Sequence, residues 1–337
     1  MSDAPTATPS IAERIQPVAA GGAVIAVYFL GDEAVFVLGE ESLLFWRDGA
    51  ERRVVVHGGG ILGAASDGRR IVTGGDDGKV VAADAKGEPE TIATDAKRRW
   101  IDRVAVTEDG VAWAVGKQAF VLPTKAKDKA ARTIDLPSSA GGLAFAPKGF
   151  RLAAAHYNGA TLWFPNAPEA KPEKLEWKGS HLDVTFSPDG RFLVTAMQEP
   201  MLHGWRLVDG KHMRMSGYAT KVRSLTWGPG AKWLATSGAT QLVIWPFGGK
   251  DGPMGKQPKM LAPYEHKVTV VACHPDQDVV AAGYEDGTVL LVRMEDGAEI
   301  LARRPGAAPV TALAWDADGT FIAFGTEDGE AGLIPLG

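Results

Sequence analysis

The chain has 337 residues, 45% of them apolar and 23% charged, with a formal net charge of −5. That mixture is enough to bury a core, but it lacks the clustered Lys and Arg on which binding through nucleic-acid phosphates depends. No run approaches the ~18 uncharged apolar residues of a spanning helix, and Cys273, the only cysteine, excludes an intrachain disulfide and disfavours a Cys-based zinc site.

Residues 1–11 are rich in Pro, Ser, Thr and Ala and are predicted to be a disordered tail, with residues 12–337 as a single domain. The tail lacks a basic region followed by a long apolar run, so no secretion signal is expected and the cytoplasm is the predicted location. Next comes a short apolar segment, residues 15–20, that reads as an isolated strand. From Val24 a pattern begins and then repeats. Residues 24–29 are apolar, a turn falls at Gly31-Asp32, residues 34–38 are apolar again, a turn follows at Gly39-Glu40-Glu41, and residues 43–46 close the unit. Three runs joined by two tight turns form an up-down-up meander.

The second unit turns at Asp67-Gly68 and Asp77-Gly78, and the third at Asp109-Gly110 and Gly116-Lys117. The fourth uses Lys148-Gly149 and Asn158-Gly159, and the fifth uses Asp189-Gly190 and the stretch Gln198-Glu199-Pro200. The sixth begins its first turn at Gly228-Pro229-Gly230, the seventh turns at Pro275-Asp276 and Asp286-Gly287, and the eighth at Asp318-Gly319 and Asp328-Gly329. First turns recur roughly 35 to 47 residues apart, and a period near ~40 built from strands alone marks a propeller. Candidate outer strands, such as residues 53–56, 132–136 and 173–177, bring each unit to four strands. The last unit ends one strand short, and residues 15–20 lack a partner. Pairing the two would close the ring and cover both open edges. The predicted fold is therefore an all-β β-propeller of eight four-stranded antiparallel blades, with seven blades as the alternative.

At this point the chain resembles the WD-repeat β-propellers. The likeness rests on Phe186-Ser187-Pro188-Asp189-Gly190, on Ala314-Trp315-Asp316-Ala317-Asp318-Gly319, and on a Trp closing the third strand at Trp46, Trp163, Trp205 and Trp245. The family's Trp-Asp pair is absent, since Arg47, Phe164, Arg206 and Pro246 follow those tryptophans. The resemblance implies a His, Ser or Thr, Asp and Trp hydrogen-bonded within each blade. In the fifth unit His181, Thr195 and Trp205 match but no Asp does, and in the seventh His266 and Asp286 match without a Trp. Apolar packing is therefore expected to hold the ring.

Seven histidines are spread over different units without metal-ligand spacing, and the second-turn carboxylates, such as Asp77, Asp286 and Asp328, read as turn chemistry. No nucleophile elbow, phosphate loop or dinucleotide fingerprint occurs. The expected function is thus a non-catalytic scaffold, a monomer without cofactors, that binds another protein or an extended peptide and neither nucleic acid nor membrane. A metal- or small-ligand-binding propeller using channel-facing His and acids is the alternative, and a propeller enzyme comes third. The loops entering each blade and the second turns share one face, where Arg98, Arg99, Trp100, Tyr157, His181, Tyr218, His266 and Tyr284 are the candidate partner contacts, aromatic residues and Arg being favoured at binding hot spots. Residues 125–132 form a basic loop, and residues 247–258 an insertion on the outer rim.

Overall fold

The computed structural model describes residues 8–125, 130–167 and 169–337. The first repeat shows how these residues make a blade. Its strands Val24–Leu30, Glu33–Leu38, Ser42–Arg47 and Ala50–Val55 form one antiparallel sheet in chain order. Side chains alternate across a strand, and here both faces are covered. Phe36, Leu44 and Trp46 pack with Ala312, Ala323 and Leu333 of the last repeat, whereas Val35, Val37, Leu43 and Phe45 pack with Ile71 and Val81 of the second. The inner strands are therefore nearly continuous apolar runs, while the outer strand Ala50–Val55 alternates exposed and half-buried residues. Each fully buried large side chain contributes about 1.5–3 kcal/mol, and such clusters recur between neighbouring repeats around the ring.

The strand Gln16–Ala19 pairs antiparallel with Glu330–Pro335, with Val18 opposite Ala331, and completes the sheet of the last repeat. The first and last repeats are also pinned across their junction, where the Thr311 hydroxyl donates to the Val24 carbonyl. The tail ends earlier than residue 11, however. The Leu301 N–H donates to the Pro9 carbonyl, the Ile11 N–H donates to the Leu301 carbonyl, and Ser10 bridges Leu301 in parallel. Residues 9–11 therefore lie along the outer strand of the seventh repeat before the chain crosses to the eighth. Residues 1–7 of the predicted tail, and 126–129 of the basic loop, fall outside the described residues.

The blade count also needs correction. Eight separate four-stranded sheets were expected, but the hydrogen-bonded sheets among the described residues number seven, six of four strands and one of six. The cause is local to the fourth and fifth repeats. Leu152–Trp163 runs through the turn at Asn158-Gly159 as one 12-residue strand, and Glu173–Phe186 is continuous over 14 residues. The first part of Glu173–Phe186 pairs with Leu152–Trp163 and the second with Phe192–Met197, so it joins two repeats in one sheet. The register shifts between His181 and Asp183, close to Gly179 at φ 111°.

The insertion at 247–258 is also more than a rim loop. Phe247 is fully buried and meets Phe192 and Trp227 edge to face at 5.2 and 4.7 Å. Arg191 donates to the carbonyls of Phe247 and Gly249 at 3.1 and 3.0 Å, and Arg206 pairs with Asp251. The segment straps the fifth repeat to the sixth.

Candidate functional site: the loop face of the ring

Alternation of strand direction puts the second turn of every repeat and the loop entering it at the same end. Hydrogen bonds tie them together, from Asp76 N–H to the Gly60 carbonyl at 3.0 Å, and from Gln198 N–H to the Ser180 carbonyl at 2.9 Å. Two aromatic side chains stand out of this face. Trp100 is 70% exposed and Tyr157 59%.

Trp100 sits on the loop entering the third repeat, and the loop is rigidly anchored. Asp95 accepts from the backbone N–H groups of Lys97 and Arg99 at 3.0 and 2.9 Å, and its Oδ1 takes Arg99 Nη2 at 2.6 Å. The Arg99 guanidinium holds the Asp95 carboxyl down to about 2. At the far end Ile101 is completely buried among Val72, Val80 and Trp113. Between the two anchors Arg98 adopts φ 52° and lies against Gly78, where a Cβ would approach the Arg98 Cα to 2.7 Å. The loop can fit only because residue 78 has no side chain. Arg99 is therefore committed to its own loop, while Arg98 and Trp100 are exposed beside it.

Tyr157 occupies the second turn of the fourth repeat, braced from beneath by His156. One His156 ring nitrogen lies 2.9 Å from the Tyr157 carbonyl and the other 2.9 Å from the Thr161 hydroxyl. The Tyr157 N–H donates to the Ser138 hydroxyl at 2.8 Å, and the neighbouring Asn158 side-chain Oδ1 accepts from Gly179 N–H at 3.2 Å. His266 is half-buried on the loop entering the seventh repeat, its ring 5.7 Å from that of Tyr264.

The other three predicted contacts are interior. Tyr284 is fully buried and donates to the Ala262 carbonyl at 3.2 Å. His181, 1% exposed, sits between the Thr195 hydroxyl at 2.7 Å and the Trp177 carbonyl at 3.0 Å. Tyr218, 8% exposed, holds a directional chain in the sixth repeat. Trp245 Nε1–H donates to the Tyr218 oxygen at 2.7 Å, that hydroxyl meets Thr236 Oγ1 at 2.8 Å, and Thr236 donates to the Val243 carbonyl at 3.2 Å. With the Thr236 proton committed, Tyr218 is the donor to Thr236. These three side chains are buried and hydrogen-bonded within the ring.

The polar networks thus count for more than the sequence suggested. In the second repeat His57 bridges Asp77 at 3.0 Å and Thr73 at 2.9 Å, and Asp77 also accepts from Gly58 N–H. In the seventh, the Tyr264 hydroxyl reaches Asp286 at 2.9 Å, and Asp286 accepts from the Thr288 hydroxyl at the same distance. Tyrosine replaces the expected histidine in the sixth and seventh repeats. A signal was present in the spacing: Tyr218 precedes Thr236 by 18 residues, much as His57 precedes Thr73 by 16 and His181 precedes Thr195 by 14.

The central channel is lined by polar groups of both signs, among them Asp102, Arg103, Asp183, Lys221 and Arg223. Asp183 is exposed in the channel but surrounded by protein, and that enclosure pushes its carboxyl up while the Val184 N–H and Arg103 oppose the shift. The histidines expected at the channel are instead built into the blades: His57, His156, His181, His203 and His274 are all buried. Among the described residues no group of three or more His, Cys, Asp or Glu is placed to hold a metal ion, so the metal-binding alternative finds no ligand set here. Cys273 packs at the end of Val268–Cys273 with its thiol 3.6 Å from the Thr226 carbonyl, and burial raises its pKa. Among the described residues no helix is long and apolar enough to cross a membrane.

The architecture recurs in solved structures. The computationally designed Ika8 protein superposes with a TM-score of 0.74 at 16% identity, over 96% of this chain and 98% of that one. The RRP9 WD40 repeats superpose at 0.62 and 12% identity over 98% and 99%, and U3-55K at 0.61 and 13% over 97% and 100%. In sequence, residues 271–336 match the model of the anaphase-promoting complex subunit 4 WD40 domain. The fold is a β-propeller, and the family match is to a WD40 domain. The meiotic recombination protein rec14 of Schizosaccharomyces pombe is 28% identical over 109 residues, which is 32% of this propeller and about a third (36%) of that protein's length. Within the WD-repeat plan, Tyr218 and Tyr264 stand at the place of the blade histidine, and the strand-closing Trp245 keeps its hydrogen bond.

Proposed function

We propose that the propeller is a non-catalytic scaffold, a single domain that takes in residues 12–337, that binds another protein or an extended peptide on its loop face. The observation that carries this reading is the pair of large aromatic side chains, Trp100 and Tyr157, held out of that face by loops that are themselves tied down. An exposed aromatic on a pre-ordered loop presents apolar area without a large ordering cost on binding, which is the character of an interface anchor. Arg98 beside Trp100 adds a cation, and His266 belongs to the same face. The family whose model matches this chain is named for a subunit of a multiprotein complex, which agrees with an assembly role.

The test is affinity purification from the native cell, comparing the wild-type chain with Trp100→Ala and Tyr157→Ala. Specific partners should be lost with at least one variant, each truncation of an anchor costing about 2 kcal/mol or roughly thirtyfold in affinity. Recovery of the same partners at the same yield by both variants would refute the assignment of this face.

A further inference from the structure

The opposite face carries a second feature that the loop-face reading does not use. A cleft of about 790 Å³ opens at the junction of the first and last repeats, where the turns at Asp32, Asp48 and Asp318 emerge. These turns follow the first and third strands of their meanders, so they point away from Trp100 and Tyr157. The aromatic lining is Phe29, Trp46 and Phe321.

The charge of the cleft is one-sided. Glu51 and Asp316 join the three turn aspartates in its lining, and no Lys or Arg does. The flanking cation is Arg47, 3.4 Å from Asp32 and 3.6 Å from Asp48. Those pairs are exposed, so each is weak and exchanges easily for a competing cation. Asp316 is partly committed to its own turn, accepting from Phe321 N–H and the Thr320 hydroxyl, each at 2.8 Å, and Glu51 accepts from Ala19 N–H at 3.1 Å. Asp48 and Asp318 make no hydrogen bond, so their carboxylates are open to a ligand.

A second observation is independent of the carboxylates. Trp46 is 7% exposed, yet its indole N–H has no hydrogen-bond acceptor. Its indole nitrogen is not among the fully sealed, unpartnered polar atoms, and the residue lines the cleft. The equivalent tryptophan of the sixth repeat, Trp245, gives its N–H to Tyr218. In the first repeat Trp46 has no such partner among the described residues, and Trp46 lines the cleft.

We infer that this cleft binds a lysine- or arginine-bearing segment of a partner polypeptide. The side-chain cation sits among the carboxylates and against the aromatic rings, where ring faces attract it, and a main-chain carbonyl of the same segment accepts the Trp46 N–H. Charge complementarity selects this occupant over an acidic peptide or a nucleic-acid strand, both of which the carboxylates repel.

The test is fluorescence anisotropy with the full chain and a labelled peptide alternating Lys, Arg and Gly, set against the same peptide with Gln at every basic position. Binding to the basic peptide should be at least about tenfold tighter, and Asp48→Lys with Asp318→Lys should weaken it by about tenfold or more. Both substitutions lie in exposed turns and leave the core intact. Trp46→Phe, checked for folding by circular dichroism, should weaken binding about fivefold through the lost hydrogen bond. As a control, Glu265→Lys with Glu327→Lys reverses the same charge on the loop face and should change binding by less than about twofold. Equal affinity for the glutamine peptide, or equal loss from the loop-face reversal, would show diffuse attraction only and overturn the inference. Neither result depends on whether Trp100 and Tyr157 bind a partner.

Discussion

Replacing Tyr218 by Phe separates a structural tyrosine from a binding one, because it removes a single oxygen and leaves the ring that packs among Val222, Leu234 and Trp245. The oxygen accepts from Trp245 Nε1 at 2.7 Å and donates to Thr236 at 2.8 Å. Without it the Thr236 hydroxyl keeps its bond to the Val243 carbonyl, but the indole N–H of a buried tryptophan is left with no acceptor. An unsatisfied buried donor costs about 1–3 kcal/mol, and the lost bond to Thr236 adds about 0.5–1.5, so Tyr218→Phe should destabilise by roughly 1.5–4.5 kcal/mol. Urea unfolding followed by circular dichroism measures this as a lowered midpoint at constant slope. Trp245→Phe also costs stability, through lost volume, but the double variant no longer contains the stranded donor. The cycle should therefore show a coupling of about 1–2 kcal/mol. A single-variant change below about 0.5 kcal/mol, or additive costs in the cycle, would refute the hydrogen-bonded chain. A loss of partner capture at unchanged stability would return Tyr218 to the interface.

Two further outcomes follow from the structure. Deleting residues 1–22 removes the four-residue strand that pairs with Glu330–Pro335 and the burial of Val18 and Ala20, a loss of roughly 3–6 kcal/mol, and leaves an open sheet edge; the truncated protein should melt lower and aggregate in light scattering, and unchanged melting would rule out the closing role of this strand. His203 is buried with both ring nitrogens unpartnered, stacked 4.1 Å from Trp177, and burial pushes its pKa down to about 3. Since the unfolded imidazole titrates near ~6.5, the unfolded state takes up a proton on acidification that the folded ring refuses, so stability should fall as the pH drops from about 6.5 towards 3, by at most about 1.4 kcal/mol per unit for this ring. Burial lowers the values of His156 and His181 as well, adding the same sign. His203→Leu should flatten the pH 6.5 to 5 slope by up to one proton, and an unchanged slope would show that this ring does not carry it.

Much of the ring was legible because its punctuation is chemical. Turns such as Asp67-Gly68, Asp189-Gly190 and Asp318-Gly319 place Gly at φ 79°, 76° and 68°, conformations that favour glycine, so the strand boundaries could be read directly. The pairing of residues 15–20 with the last repeat followed from counting strands. What stayed hidden has specific physical causes. The joining of the fourth and fifth repeats depends on a continuous Glu173–Phe186 strand, and its apolar pattern does not announce that two sheets share it. Tyr218 and Tyr284 were read as surface aromatics because tyrosine suits an interface as well as a core that offers its hydroxyl a partner. The side chains that remain exposed, Trp100 and Tyr157, differ in sequence from those two only through their local anchors, Asp95 and His156.

The strand contributed by Gln16–Ala19 also imposes an order on folding during synthesis. Arg14 and Gly337 meet in a hydrogen bond although 323 residues separate them, so the first strand made is the last to find its partner. At translation rates of about 5–20 residues per second, that strand waits roughly 15 s to a minute with its edge open. While the other strands of the ring are being made, this short β-edge stays open, so the partly made ring, more than the finished propeller, is the state exposed to mispairing.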